Sequence, residues 1–122
     1  MLHALDHFTI RSGDLDRTQA FYGSLLGLHA GPRPPFAVPG RWLYAQGRPL
    51  VHVLDASGSA PAGRIDHVAL RARGRAALEE RLRRSGVPHR LRALPDGSAL
   101  QLFVEDPDGA LLELVFHARV DR

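Results

Sequence analysis

The sequence predicts an α+β fold made of two tandem βαβββ modules within one domain of 122 residues. The first observation is a repeat: residues 5–10 and 65–70 share the pattern aliphatic, Asp, His, apolar, small, aliphatic, 60 positions apart. The second is that residues 47–54 and 109–116 match as closing strands once a one-residue slip in the turn is allowed, which aligns His52 with Glu113 at an offset of 61. A half of this size buries only ~60% of its unfolded surface, so we expect the halves to pack together or against another chain.

Residues 1–56 are predicted to form the first module. Residues 5–11 alternate as a strand, so His7, Thr9 and Arg11 share one face. Helical spacing follows from Leu15 to Leu26, with Asp14 or Ser12 as N-cap and Gly27 as the stop. Four prolines in residues 28–40 favour a loop or broken edge strand, and residues 41–45 and 50–54 then form a hairpin.

Residues 57–63 are small, polar and rich in glycine and proline, which predicts a linker to the second module, residues 64–122. This module repeats the order: a strand over 64–71, a helix over 74–85, and strands over 88–94, 99–104 and 110–117. The turns fall at 95–98 and 106–109. In the helix we expect Ala77, Leu78 and Leu82 to face inward, and Glu79/Arg83 and Glu80/Arg84 to form surface ion pairs.

Composition excludes several classes of function. There is no cysteine, which removes disulfides and thiolate chemistry and fits a reducing compartment, so we expect a cytoplasmic protein. All 16 basic residues are arginine, but the net charge is only +3, and Glu79 and Glu80 interrupt the basic run 71–84. Nucleic acid is therefore not an expected partner. No signal peptide and no membrane-spanning run are predicted, so a membrane is not expected either.

Four residues at matching points of the repeat could carry chemistry: His7, His52, His67 and Glu113. If a pseudo-twofold axis relates the modules, these side chains converge as nitrogen and oxygen ligands for one divalent metal, such as Fe, Mn, Ni, Zn or Co. Two histidines and one carboxylate would leave positions open for a chelating substrate. The alternatives are that duplication repeats structural histidines, or that Glu113 points outward from a half-exposed strand.

Further residues are candidates for contact with a small-molecule substrate. Tyr44 and Arg48 flank the first hairpin and could hold a substrate oxygen or carboxylate, although a core-edge aromatic and a solvated arginine are the alternative. Gln101 and Phe103 share a strand face and could line a cleft, for which packing is an equal explanation. Trp42 is interpreted as core or loop cover or, in a non-catalytic binding protein, as an apolar wall of the cleft together with the proline-rich loop 32–39.

Several motifs together resemble the vicinal oxygen chelate superfamily, which contains glyoxalase I, extradiol dioxygenases, methylmalonyl-CoA epimerase, fosfomycin-resistance transferases and bleomycin-binding proteins. The resemblance covers nearly the whole chain. It rests on the duplicated module, the paired Asp-His strands, Phe21-Tyr22 followed by Leu25-Leu26-Gly27-Leu28, and the closing run from Phe103 to Gly109 followed by Leu112-Glu113-Leu114.

The resemblance implies a partly open, U-shaped mixed sheet around a divalent metal, with the helices outside. It assigns His7, His67 and Glu113 to the shared metal positions. His52 stands where glyoxalase I has a second Glu, so it is a candidate ligand or base, and Glu113 is the other candidate proton carrier. Thr9 resembles a substrate-contacting Thr of the fosfomycin transferases. Modules of this length often pair across chains, which implies a homodimer.

Two classes of function remain open from the sequence. The first is a metal-dependent enzyme that stabilises an enediolate-like oxyanion, with a glyoxalase-like lyase or isomerase leading and a ring-cleaving dioxygenase second. The second is a non-catalytic protein that sequesters a small molecule, such as an antibiotic, in the same cleft. The four filled ligand positions favour the enzyme.

Overall fold

The computed structural model describes residues 1–56, 65–105, 107 and 110–118. Over these residues the chain forms two helices and eight strands, which confirms the α+β class. The elements are β1 (Leu2–Ser12), α1 (Leu15–Leu26), β2 (His29–Gly31), β3 (Gly40–Ala45), β4 (Arg48–Asp55), β5 (Ile65–Ala72), α2 (Arg75–Arg84), β6 (His89–Ala93), β7 (Ala99–Glu105) and β8 (Leu111–His117). The predicted linker 57–63 and the turn residues 106, 108 and 109 lie outside the described residues.

The chain divides into two compact units. His7–Asp66 form one, here called the N-terminal unit, and Met1–Asp6 with His67–Arg122 form the other, the C-terminal unit. The boundaries cut β1 and β5 immediately before His7 and His67, the two histidines of the repeat.

In the N-terminal unit the strands lie in the order β2, β3, β4, β1, with β1 parallel to β4 and the other pairs antiparallel. Helix α1 covers one face of this sheet, where Leu15 and Tyr22 pack on a core of Leu43, Val51 and Val53. Alternation along the strands leaves a different set of side chains on the opposite face. They include His7, Thr9, Trp42 and His52.

The C-terminal unit repeats this arrangement in the order β5, β8, β7, β6, with β5 parallel to β8. Leu78 and Leu82 of α2 pack on a core that contains Leu102, Leu114 and Phe116. The other face carries a second set of side chains, because strand neighbours point to opposite faces. This set includes His67, Ala69, Gln101, Phe103, Glu113 and Val115.

Helix α1 confirms the predicted ends. Asp14 Oδ1 accepts a hydrogen bond from Arg17 N at 3.0 Å, which satisfies one of the unpaired donors of the first turn. Gly27 closes the helix at φ 75°, a left-handed conformation that glycine adopts without steric cost. The proline-rich stretch supplies only the three-residue strand β2, in line with the expected broken edge strand.

Two expectations for α2 are wrong. Glu79 pairs with Arg75, one turn before it, rather than with Arg83. Arg83 instead pairs with Glu80, which also forms the expected pair with Arg84. Ala77 is exposed rather than inward, because Leu78 and Leu82 alone fill the narrow contact with the sheet. Among the described residues, no helix is both long and apolar enough to cross a membrane.

Candidate functional site

A column of stacked rings lies on the face of the N-terminal sheet opposite helix α1. The imidazoles of His7 and His52 stack with centroids 3.5 Å apart and planes 14° from parallel. Trp42 stacks on His52 from β3, at 4.0 Å and 14°. Phe36 follows at 6.2 Å from Trp42, and the guanidinium of Arg33 lies 4.9 Å above the Phe36 ring. Burial lowers the pKa of Arg33.

Strand register builds this column. Thr9 on β1 and Trp42 on β3 are both paired with His52 on the strand between them. A β-bulge between Leu43 and Tyr44 sets the second pairing, because it shifts the hairpin register by one residue before Trp42 is reached. His7, Thr9 and His52 are all buried, so the column is part of the packed face.

A chain of hydrogen-bonded polar side chains lies on the face of the C-terminal sheet opposite helix α2. His67 Nε2 lies 2.9 Å from Glu113 Oε1, and the Glu113 side chain is only 2% exposed. Gln101 Nε2 donates a hydrogen bond to Glu113 Oε2 at 3.2 Å. Arg92 Nε donates to Gln101 Oε1 at 3.1 Å, which fixes the orientation of the amide. Both oxygens of this carboxylate therefore have a partner, as a charge removed from water requires.

The surroundings of this chain are apolar on one side and aromatic on the other. Ala69, Ala99 and Val115 form a small buried cluster on the same face of the sheet as Glu113. Phe103 stands edge-on to His67 with ring centroids 6.3 Å apart. The carboxylate thus lies between small aliphatic groups and one phenyl ring, where hydrogen bonds and charge act with little screening by water.

The other predicted substrate contacts outside the polar chain, Thr9, Tyr44 and Arg48, lie in the N-terminal unit. The Tyr44 hydroxyl donates to the Pro32 carbonyl, its ring stacks on His29 at 6.3 Å, and burial raises its pKa. Arg48 begins β4 and is exposed. Thr9 is 2% exposed and shares the face of His7, as the strand period predicts.

Two residues on these faces, Arg90 and Arg92, are absent from the site predicted from the sequence. The alternation His89-Arg90-Leu91-Arg92 is a usable signal, since it puts two arginines on one face of a strand. Trp42 is expected as core, loop cover or cleft wall, but the sequence pattern does not give its partner His52, because that pairing depends on the bulge.

Two imidazoles and one carboxylate, those of His7, His67 and Glu113, are a donor set that could hold a metal ion. A family model described as the Glyoxalase/Bleomycin resistance protein/Dioxygenase superfamily matches residues 4–114. The chain belongs to this superfamily. The resemblance inferred from the sequence motifs is thereby confirmed, whereas no curated protein gives a significant match.

Solved structures of several superfamily enzymes are similar to this one. Methylmalonyl-CoA epimerase from Mycobacterium tuberculosis is 23% identical, with a TM-score of 0.73 over 96% of this chain and 89% of its own. The Streptomyces coelicolor epimerase in complex with 2-nitronate-propionyl-CoA is 24% identical, with a TM-score of 0.73 over 100% and 99%. The Mn(II)-bound glyoxalase from Novosphingobium aromaticivorans is 25% identical, with a TM-score of 0.68 over 93% of this chain but 38% of its own.

Proposed function

We propose that this superfamily member is a metal-dependent enzyme that chelates two neighbouring oxygens of a small substrate, with a glyoxalase-like lyase or isomerase reaction as its leading activity. The observation that carries the proposal is the buried His67–Glu113 contact at 2.9 Å. A buried carboxylate needs hydrogen bonds or an opposite charge, and a divalent cation is the positive partner that nitrogen and oxygen donors of this kind suit.

The metal would be held by His7, His67 and Glu113, and it would supply Lewis-acid stabilisation of negative charge on the substrate oxygens. Gln101 holds Glu113 through its second oxygen, as groups behind metal ligands commonly do. Because imidazole and carboxylate groups bind a metal in their deprotonated forms, we expect the affinity to rise with pH.

The ring stack argues for different roles of His7 and His52. His7 belongs to the proposed donor set with His67 and Glu113, whereas His52 is outside that set and stacks on His7 with ring centroids 3.5 Å apart. The proposal therefore assigns His7 to the metal and His52 to proton transfer, with Thr9 beside it as a substrate contact.

The test is the metal content of protein purified without added metal, compared with a His7→Ala/Glu113→Ala double variant. Near-stoichiometric Fe, Mn, Ni, Zn or Co in the wild type, lost in the variant, supports the proposal. Nickel or zinc would direct assays to lyase and isomerase reactions, and iron or manganese to ring-cleaving dioxygenation. If no metal binds even after reconstitution, and His67→Ala leaves ligand binding intact, the sequestering protein is the correct function and the enzyme is not.

We also propose that the protein is a homodimer, as the module pairing of the superfamily suggests. Helix α1 exposes large apolar side chains, with Phe21 54%, Leu25 68% and Leu26 60% exposed. Adjacent exposed apolar groups are typical of surfaces that another protein covers. Light scattering at micromolar concentration should give the mass of a dimer, and a monomer would contradict this part of the proposal.

A further inference from the structure

In the C-terminal unit, the Phe103 ring contacts the imidazole of His67 and two arginine guanidinium groups. His67 meets the edge of its ring, and the guanidinium carbons of Arg90 and Arg92 lie 5.1 and 5.3 Å from the ring centroid. The strand register pairs Arg90 with Phe103 and Arg92 with Gln101, so both arginines extend from the same face of the sheet as the phenyl ring. One aromatic side chain therefore separates two positive charges from the proposed metal ligand His67.

Within the described part of the chain, these two arginines differ from three of the arginines on α2. Arg75, Arg83 and Arg84 each form an ion pair with a glutamate. By contrast, the contacts found for Arg90 and Arg92 are with a phenyl ring and a neutral amide. Their positive charges are held in place by these contacts but are not neutralised by them.

A cavity of about 630 Å³ opens beside Arg90 and Phe103. Its volume falls in the range that accommodates small ligands. Among the lining residues that the structure describes, the acidic one is Glu105, which is exposed at the end of β7. The lining residues are Pro88, His89, Arg90, Phe103, Val104, Glu105 and Leu111.

We propose that Arg90 and Arg92 bind an anionic group of the substrate, a carboxylate or a phosphate, with Phe103 as the platform beneath it. Guanidinium groups match both oxyanions through paired N–H donors, which a lysine cannot reproduce. The reacting oxygens of the same molecule would lie on the other side of the phenyl ring, toward His67. The inference rests on the proposed function, since it names the substrate class of that site.

The test uses NMR of the arginine Nε–Hε groups in metal-free protein at low ionic strength, titrated separately with inorganic phosphate and with malonate. Arg90 and Arg92 signals should shift and saturate with at least one anion, and the anion that saturates identifies the group. Arg90→Gln should weaken that binding about tenfold or more, since it removes a charged donor without disturbing the Arg92–Gln101 bond. Arg90→Lys should recover only part of the loss.

Arg84→Gln on the outer face of α2 is the matched control and should bind the anion like the wild type. Equal weakening in Arg84→Gln and Arg90→Gln, or no weakening in Arg90→Gln, would overturn the proposal in favour of general charge attraction. Because the titration is metal-free, the two proposals can fail separately. Arg90-dependent anion binding in a protein that never takes up metal would keep this site and reject the enzyme.

Discussion

Arg11 Nη2 lies 2.7 Å from Asp66 Oδ1, and the same ion pair occurs at the equivalent positions of the repeat. There, Arg71 Nε lies 3.0 Å from Asp6 Oδ1. Each pair joins a residue of β1 to a residue of β5, and each lies within one compact unit. The repeat thus reproduces a contact as well as a sequence pattern, and it does so immediately beside the two repeated histidines.

Replacing Asp66 with Asn should lower the free energy of unfolding by about 1–2 kcal/mol, because the Arg11 guanidinium keeps its charge but loses its carboxylate in a half-buried setting. Chemical denaturation measures this loss. Glu80→Gln on the exposed face of α2 also removes a carboxylate from arginines and should change stability by less than about 0.5 kcal/mol. Equal losses of unfolding free energy in the two variants would mean that the Arg11–Asp66 pair contributes no more to stability than a surface ion pair.

Most of the fold could be predicted because hydrophobic period and turn residues agree with each other along the chain. The helix from Leu15 to Leu26 is predicted to the residue, since a capping Asp14 and a left-handed Gly27 mark its ends. The exposed sides of the helices were less predictable. Which of several apolar or charged residues on a helix faces the sheet depends on the contact area, so Ala77 and the partner of Glu79 were misassigned.

The candidate site was predictable only where strand alternation decides the contact. Alternation puts His7 with Thr9, and Gln101 with Phe103, on common faces. It cannot show that Gln101 bonds Glu113 rather than a substrate, because that depends on the register between β7 and β8. It also cannot place Trp42 opposite His52, because the hairpin turn alone gives a register one residue away from the one that the bulge produces.

Trp42 should report metal binding. It is the only tryptophan of the chain, and it stacks on His52, which stacks on the proposed ligand His7. Titration with Ni(II) or Co(II) should therefore quench the protein's fluorescence in a saturable manner, because open-shell ions quench nearby indoles. In His7→Ala the quenching should become weak and linear. A saturable curve of unchanged midpoint in that variant would show that the ion binds without His7.

The turn between β6 and β7 offers a pH prediction that is independent of the metal. Ser98 donates to Asp96 Oδ1 from its hydroxyl at 2.6 Å and from its backbone N–H at 2.9 Å, and these bonds lower the pKa of Asp96. Because the pKa of Asp96 is lowered in the folded protein, its ionised carboxylate stabilises the folded turn at pH values above the ordinary aspartate pKa. This stabilisation is lost as the pH falls through the lowered pKa. Ser98→Ala should raise the pKa of Asp96, measured by NMR titration. An unchanged pKa would mean that the side-chain bond is absent in solution.

Gln101 should control how tightly the metal is held, although it offers no ligand in the proposed set. Its amide donates to Glu113 Oε2 and accepts from Arg92, so Gln101→Leu removes one hydrogen-bond donor from the buried carboxylate and loosens its orientation. We expect about a 10- to 100-fold loss of metal affinity, measured by competition with a chromogenic chelator. Gln19→Leu is the matched control, because Gln19 also accepts from an arginine, Arg41, but lies on α1 of the other unit. Since Gln101→Leu keeps His7, His67 and Glu113, it should still bind one ion per site, whereas unchanged affinity would mean that Glu113 is oriented by other contacts.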